Sequence, residues 1–239
     1  EGIAIIFASA LATQALMTWI FTPGAFSAHG FDPRSAVITS FSLSLLLRVD
    51  EAWMLGVAAA AAIASKFLVR INGKHVFNPA NFAIVIMLAW GEGWISPSQW
   101  GSKTWAAFLF AGLAGLVLTR AKRADIALAF LATFVAFLMA RAAWLGDPWA
   151  IPLKQMQSGA LLLFAFFMIT DPKTIPDARI DRIVYGVVVA LAGAWLIFER
   201  YTPEGLMIAL FCASPFVPLI DFFRARAPET RFQWSKPTV

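Results

Sequence analysis

The chain has 239 residues, of which 60% are hydrophobic, and its mean hydropathy is +0.73. This composition is too apolar for a soluble domain of that length and indicates a polytopic helical membrane protein. One cysteine excludes an internal disulfide and a cysteine-only iron–sulfur site within the chain. The net charge of +5 becomes informative only when the basic residues are placed on a topology.

Apolar runs of helical length recur from one end of the chain to the other. They predict membrane spans at residues 3–20, 34–48, 52–71, 78–92, 103–119, 125–145, 157–171, 181–199 and 204–223. Asn78-Pro79 begins one of these spans, and Asp171-Pro172 ends another. Asn and Asp cap helix ends and Pro fits a first turn or a break, so both pairs predict short, polar-capped helices. Short capped helices inside a membrane protein are typical of binding sites.

Lysine and arginine residues concentrate on one side of the alternating spans. That side carries Arg34, Lys66, Arg70, Lys74, Arg120, Lys122, Arg123, Lys173, Arg179, Arg182, Arg224, Arg226, Arg231 and Lys236. The other side carries only Arg48, Lys103, Arg141, Lys154 and Arg200. The positive-inside rule therefore predicts that the C-terminus and the Asn-Pro and Asp-Pro loops are cytoplasmic.

The order of long and short spans predicts an all-α membrane protein built as an inverted-topology repeat of five plus five helices. The proposed matches are 125–145 with 3–20, 157–171 with 34–48, 181–199 with 52–71, and 204–223 with 78–92. Span 103–119 then lacks a partner, so about nine of ten helices are present and we expect the first to precede Glu1. A cleaved signal peptide is the alternative. The predicted units are residues 1–102, residues 103–223 and a basic cytoplasmic tail at residues 224–239.

Four segments, in order along nearly the whole chain, resemble one family. They are Asp32 to Thr39 (DPRSAVIT), Ala64 to Asn81 (with ASK and HVFNPAN), Ser158 to Pro172 (SGALLLFAFFMITDP), and the pair Tyr201 to Leu210 (YTPEGLMIAL) and Pro218 to Asp221 (PLID). The family comprises the RnfD protein of the Rnf electron-transport complex and the NqrB protein of the sodium-pumping NADH:quinone reductase. The resemblance implies a ten-helix inverted repeat within a multi-subunit redox complex of the bacterial inner membrane.

Family members carry flavin mononucleotide on a threonine in a D-x-x-[ST]-x-A-T motif, in the loop after the F-N-P-A helix. The corresponding loop here is only Gly91 to Lys103, and no such motif fits; Thr104 is the nearest threonine. The chain resembles a shorter branch of the family, found in enediyne biosynthesis clusters. The resemblance therefore favours a non-covalent flavin, as flavin mononucleotide or riboflavin, over a covalent one.

The candidate cofactor-binding residues lie at the polar ends of the short helices. They are Lys66, Lys74, His75, Asn78, Asn81, Ser158, Gly159 and Asp171, and no catalytic or metal-binding residues are predicted. The N–H groups at a helix start carry partial positive charge and bind a phosphate or a ring oxygen. Structural alternatives stay open, namely helix capping by Asn78, helix termination at Asp171 and close helix packing at Ser158 and Gly159.

Two charged residues require partners. Asp171 at a helix C-terminus opposes the helix dipole, so we expect it to face Lys173, Arg182 or a bound cation. Lys66 lies about a turn from the end of its helix. Its side chain either extends to the membrane interface or faces a buried anion, such as a phosphate or Asp171.

The sequence is compatible with three functions. The first is a membrane subunit of a flavin-dependent electron-transport complex, a component of an oxidoreductase that positions a redox cofactor and couples electron flow to ion movement. The second is a transporter or channel for a small solute or ion, since inverted repeats with capped short helices are also transporter architecture. The third is a structural subunit without its own cofactor. The expected partners are the lipid bilayer and other membrane subunits, with no nucleic acid.

Overall fold

The computed structural model describes residues 1–21, 32–96 and 124–224. The helices are α1 (Gly2–Phe21), α2 (Arg34–Leu46), α3 (Ala52–Leu68), α4 (Pro79–Trp90), α5 (Ala124–Leu145), α6 (Ala150–Met156), α7 (Gly159–Leu163), α8 (Arg179–Phe198), α9 (Gly205–Ala213) and α10 (Val217–Arg224). A π-helical segment (Phe164–Met168) continues α7, and a 3-10 turn (Ser214–Phe216) joins α9 to α10. The strands are β1 (Leu47–Val49), β2 (Arg70–Ile71), β3 (Lys74–His75) and β4 (Gly93–Ile95).

Each predicted span within the described ranges coincides with a helical segment, and the ends agree to within a few residues. Span 103–119, most of the basic tail and Thr104 lie outside the described residues. Two features were not predicted: the short helix α6 and the four strands, which form two small antiparallel sheets, β1–β4 and β2–β3. The fold is thus mostly helical, with strand pairs at the helix ends.

Four helical segments of the described chain are long and apolar enough to cross a membrane. They are α1, α5, α8 and the continuous stretch Gly205–Arg224. At 1.5 Å per residue, about 20 residues match the hydrocarbon thickness of a bilayer. Helix α6 and the α7–π segment are bent by 47° and add a fifth if they count as one broken span. Because α2, α3 and α4 are shorter, these observations support a multi-pass membrane protein, while the count of nine spans stays a prediction.

Local chemistry explains the start and end of α4. The Asn78 side chain accepts a hydrogen bond from the Asn81 backbone N–H at 3.1 Å, and Pro79 occupies the first turn. Both features stabilise a helix N-terminus. Gly91 ends the helix with φ of 82°, a left-handed conformation that glycine adopts without strain. The predicted cap at Asn78 is confirmed.

The β2–β3 hairpin connects α3 to α4 through Asn72 and Gly73. Both residues have positive φ, at 51° and 81°, as a two-residue type I′ turn requires. Arg70 pairs with His75 across the hairpin. This turn brings the end of α3 beside the start of α4, and we call this side of the molecule the hairpin end. The opposite side, which holds the β1–β4 sheet, is the far end.

The helices pack in two similar groups. Helix α1 packs on α3, and α3 on α4; in the second half α5 packs on α8, and α8 on α9. Helix α4 also contacts α9, which joins the groups. The α8–α9 contact depends on glycine, because a Cβ on Gly193 would lie 2.5 Å from Leu206 Cδ2 and one on Gly205 would lie 2.9 Å from the Gly193 carbonyl oxygen.

We expect Gly205→Ala to lower the free energy of unfolding by about 1–3 kcal/mol, the usual effect of overpacking a close contact. The added methyl would meet the Gly193 backbone and Leu196 Cβ, at 2.7 Å, so a side-chain rotation alone would not relieve the clash. The measurement is unfolding by heat in detergent micelles, with Leu191→Ala on the exposed face of α8 as the control. Equal stability of Gly205→Ala and the control would contradict the close packing.

Candidate functional site

An ion-pair group at the hairpin end connects the first half of the chain to the second. The Lys74 ammonium donates to Asp177 Oδ1 at 2.6 Å and to Asp221 Oδ2 at 3.0 Å. The backbone N–H of Asp177 donates to Asp221 Oδ1 at 2.9 Å. The predicted residue Lys74 therefore has two carboxylate partners within the protein and holds three chain segments together.

Asp171 lies at the centre of the neighbouring polar contacts. Its Oδ2 accepts a hydrogen bond from Asn78 Nδ2 at 3.3 Å, and His75 Nε2 lies 3.3 Å from the same oxygen. Its Oδ1 accepts from the Lys173 backbone N–H at 3.1 Å. Burial raises the pKa of this carboxyl, but the contacts with His75 and Lys173 outweigh burial, and its pKa lies below the ordinary value. These contacts explain how an Asp is tolerated at this helix end.

Asn81 is the least satisfied polar residue of the site. Its side chain is fully buried, yet neither Oδ1 nor Nδ2 has a hydrogen-bond partner among the residues that the structure describes. An unpaired buried amide costs about 1–3 kcal/mol. By contrast, the Asn78 oxygen serves the helix cap and its nitrogen bonds to Asp171. The Asn81 amide therefore keeps an unpaired donor nitrogen and an unpaired acceptor oxygen among the described residues.

Lys66 is buried at the C-terminal turn of α3, with only 9% of its surface exposed. Its ammonium donates to Gln14 Oε1 at 2.8 Å and to Ser35 Oγ at 2.9 Å. Both partners are neutral, so the charge of Lys66 is not neutralised by a hydrogen-bonded carboxylate among the described residues. The side chain does not extend to the surface, and Asp171 lies within electrostatic range without a direct hydrogen bond to Lys66.

Of the three alternative partners considered for Asp171, Lys173 contacts it through its backbone N–H, and Arg182 pairs with another carboxylate. Its guanidinium pairs with Asp125 instead, with Nε 3.1 Å from Oδ1 and 3.0 Å from Oδ2. Both side chains are nearly buried, with exposures of 8% and 11%. Arg182 also donates to the Asp177 carbonyl, so it fixes the start of α8 against α5 and the hairpin-end loop.

The predicted cofactor residues do not form one site. Lys74, His75, Asn78 and Asp171 are in contact at the hairpin end, and Asn81 lies in the first turn of the helix that begins there. Ser158 and Gly159 lie at the far end, where the Ser158 hydroxyl caps α7 by accepting from the Leu161 N–H at 3.5 Å. Ser158 borders a cavity of about 620 Å³ together with Ile95 and Glu204. The candidate residues therefore lie at two ends of the fold, and a cofactor-binding role for Ser158 and Gly159 stays a prediction.

The hairpin end holds the unpaired amide of Asn81 and the buried cation of Lys66, on neighbouring helices that meet at the hairpin. Within the described ranges, no group of three His, Cys, Asp or Glu side chains is arranged to hold a metal ion.

The comparisons with known proteins agree with the resemblance seen in the sequence. A model described as the NQR2, RnfD, RnfE family matches residues 90–228. The chain is 38% identical over 141 residues to the D subunit of the ion-translocating oxidoreductase complex of Escherichia coli strain IAI39, which covers 57% of this chain and 36% of the relative. The protein of the same name from strain HS is 37% identical over 137 residues, with 56% and 36% covered.

The chain thus spans only about a third of the length of these curated relatives. The family model nevertheless covers more than half of the chain, and the recognised motifs at Ser158–Pro172 and Tyr201–Leu210 lie inside the matched range. On this evidence the protein belongs to the NQR2, RnfD, RnfE family.

Proposed function

We propose that the protein is an integral membrane subunit of an electron-transport complex in a bacterial inner membrane. Family membership and the names of the relatives support this proposal. The apolar helices supply the membrane location, and subunits of the same complex are the expected partners. In this role the protein positions a redox cofactor and couples electron transfer to ion movement.

We further propose that the cofactor is a non-covalent flavin bound at the hairpin end. The main support for this proposal is the buried Asn81 amide, whose oxygen and nitrogen both lack hydrogen-bond partners among the described residues. A side-chain amide presents a donor beside an acceptor, and the pyrimidine edge of a flavin presents the complementary N–H and C=O groups. The residues present therefore fit the group that the family implies.

The other hairpin-end residues have distinct parts in this proposal. Lys66 supplies positive charge to a flavin oxygen or phosphate, because its ammonium has a third N–H beyond the two that bond Gln14 and Ser35. Asn78, His75 and Asp171 fix the start of α4, and Lys74 connects it to the loop before α8. The flavin, when bound, supplies the electron-transfer chemistry.

The topology is also a proposal. The packing order α1–α3–α4 in one half and α5–α8–α9 in the other supports an inverted repeat. Basic residues cluster at the hairpin end or its flanking turns, among them Lys66, Lys74, Lys173 and Arg182. By the positive-inside rule, this clustering supports a cytoplasmic hairpin end and C-terminus. We also propose unit boundaries at residues 102 and 223, because the repeat argument divides the chain there.

We expect the purified protein to show flavin absorbance between roughly 300 and 600 nm, and acid precipitation to release the colour into the supernatant. Colour retained in the pellet would show covalent attachment and contradict the conclusion drawn from the short loop at Gly91 to Lys103. A colourless protein in which added flavin does not bind would contradict the cofactor proposal and favour a structural subunit.

The variant Lys66→Met should lower bound flavin about tenfold while leaving expression intact, since methionine keeps the apolar stem and removes the charge. Arg200→Met is the matched control, because Arg200 is an exposed basic residue at the far end and does not border the cavity there. The ratio of flavin to protein after gel filtration is the measurement. An unchanged ratio of flavin to protein in Lys66→Met would show that Lys66 does not contribute to flavin binding.

Transport of a small neutral solute is the second candidate. The observation that favours it is the cavity of about 620 Å³ at the far end, combined with the hairpin end closed by Lys74, Asp177 and Asp221. Such a difference between two ends is typical of alternating access in inverted repeats. Uptake by liposomes containing the protein alone, without any redox partner, would favour transport over electron transfer.

A further inference from the structure

The far-end cavity has an apolar interior. Helices α5, α7, α8 and α9 and strand β4 surround its volume of about 620 Å³. The walls include Phe134 and Leu138 on α5, Phe198 on α8, and Leu206 and Met207 on α9. A space of this size accommodates a sizeable organic group, and its lining favours hydrocarbon. The cavity is separate from the proposed flavin site, which lies at the hairpin end.

Polar and charged side chains border the same cavity. They include Gln155, Gln157 and Ser158, together with one cation, Lys154, and one anion, Glu204. Neither Lys154 nor Glu204 forms an ion pair within the part of the chain that the structure describes. The border therefore presents one free charge of each sign and no net charge.

Exposed tryptophans place this border at the membrane surface. Trp144 at the end of α5 is 88% exposed, and Trp149 just before α6 is 58% exposed. Tryptophan side chains accumulate where a bilayer meets water. Both residues lie close in sequence to Lys154, so the polar border lies at headgroup depth and the apolar walls extend towards the hydrocarbon.

We propose that the far-end cavity binds one phospholipid with a zwitterionic headgroup. An acyl chain occupies the space between Phe134, Phe198 and Met207, and the headgroup meets both charges at the border. The lipid phosphate faces Lys154 and the lipid ammonium faces Glu204. Phosphatidylethanolamine satisfies both charges and adds N–H donors for the glutamine carbonyls.

Charge complementarity selects this occupant over others. An anionic lipid such as phosphatidylglycerol would satisfy Lys154 but would leave Glu204 without a cation. An uncharged occupant, such as a neutral ring compound or an apolar peptide segment, would leave both charges unpaired. A zwitterion alone matches one cation and one anion at a single border.

The test is native mass spectrometry of the protein released from nanodiscs that contain equal amounts of phosphatidylethanolamine and phosphatidylglycerol. We expect one retained phosphatidylethanolamine per chain. Glu204→Gln should reduce its preference over phosphatidylglycerol about two- to fivefold, the effect of one exposed ion pair. Lys154→Gln should reduce retention of both lipids, since both carry the phosphate. Glu199→Gln, a carboxylate beyond α8 that does not border the cavity, is the control.

Equal retention of the two lipids by the unaltered protein would overturn the proposal, as would a retained non-lipid molecule or an equal effect of Glu199→Gln and Glu204→Gln. If a variant does not fold, the proposal is tested on the unaltered protein alone. Its thermal unfolding midpoint in detergent should rise on addition of phosphatidylethanolamine more than on addition of phosphatidylglycerol, and the reverse order would overturn the proposal.

Discussion

Replacing Asn81 by leucine is expected to remove bound flavin and, at the same time, to stabilise the flavin-free protein. The side chain is fully buried and its amide has no partner among the described residues. Leucine has a similar shape and removes the unpaired donor and acceptor, so the free energy of unfolding should rise by about 1–3 kcal/mol. Loss of two hydrogen bonds to the cofactor should weaken flavin binding by about tenfold or more.

The variant Asn78→Ala is expected to change stability in the opposite direction to Asn81→Leu. Asn78 caps α4 and bonds Asp171, so its removal should lower the free energy of unfolding by about 1 kcal/mol and weaken flavin binding through the displaced helix start. The measurements are flavin released by acid per mole of protein and thermal unfolding without added flavin. A stability loss in Asn81→Leu with flavin unchanged would show that Asn81 has a structural role only.

The second large effect is expected at the buried pair of α5 and α8. Arg182→Met should lower the free energy of unfolding by about 3–5 kcal/mol, because it leaves Asp125 buried without its cation. The double variant Arg182→Met with Asp125→Leu should recover most of this loss, since two apolar side chains replace the pair without a stranded charge. The free energies of unfolding of the single and the double variant are measured by titrating the detergent-solubilised proteins with sodium dodecyl sulfate.

Arg224→Met is the matched control for this experiment. Arg224 pairs with Asp181 at 3.0 Å, but its side chain is 59% exposed, so its removal should cost less than about 1 kcal/mol. Similar losses from Arg182→Met and Arg224→Met would contradict the burial of the first pair. Failure of the double variant to recover stability would mean that the Asp177 carbonyl contact, not Asp125, is the main partner.

Much of the fold was predictable because helix-forming signals are local. Apolar runs located the helices, and the Asn78-Pro79 pair predicted the start of α4 within one residue. The β2–β3 hairpin was missed although Asn72-Gly73 is a strong signal for a two-residue turn. Helix α6 was missed because Ala150–Met156 is too short to produce a clear helical period and contains Pro152.

The candidate site was harder to predict because its contacts join residues far apart in the sequence. Asn78 and Asp171 could each be identified as helix-end residues, but no local pattern shows that they meet across 93 positions. Arg182 was one of three alternative partners for Asp171, and its actual partner was not identified because Asp125 resembles an ordinary first-turn acidic residue of α5. The separation of Ser158 from Asp171 was predictable, since the two residues lie at opposite ends of one predicted span.

The ion-pair group at Lys74 has a consequence for how the protein is made. Its two carboxylate partners follow 103 and 147 positions later in the chain. At about 5–20 residues per second, the ribosome needs roughly 7–30 s to supply the last of them after Lys74 emerges. During that interval the first helices are already inserted while Lys74 has no native partner. We expect early insertion intermediates to lack these contacts, and the insertion of helix α10 to complete the ion-pair group.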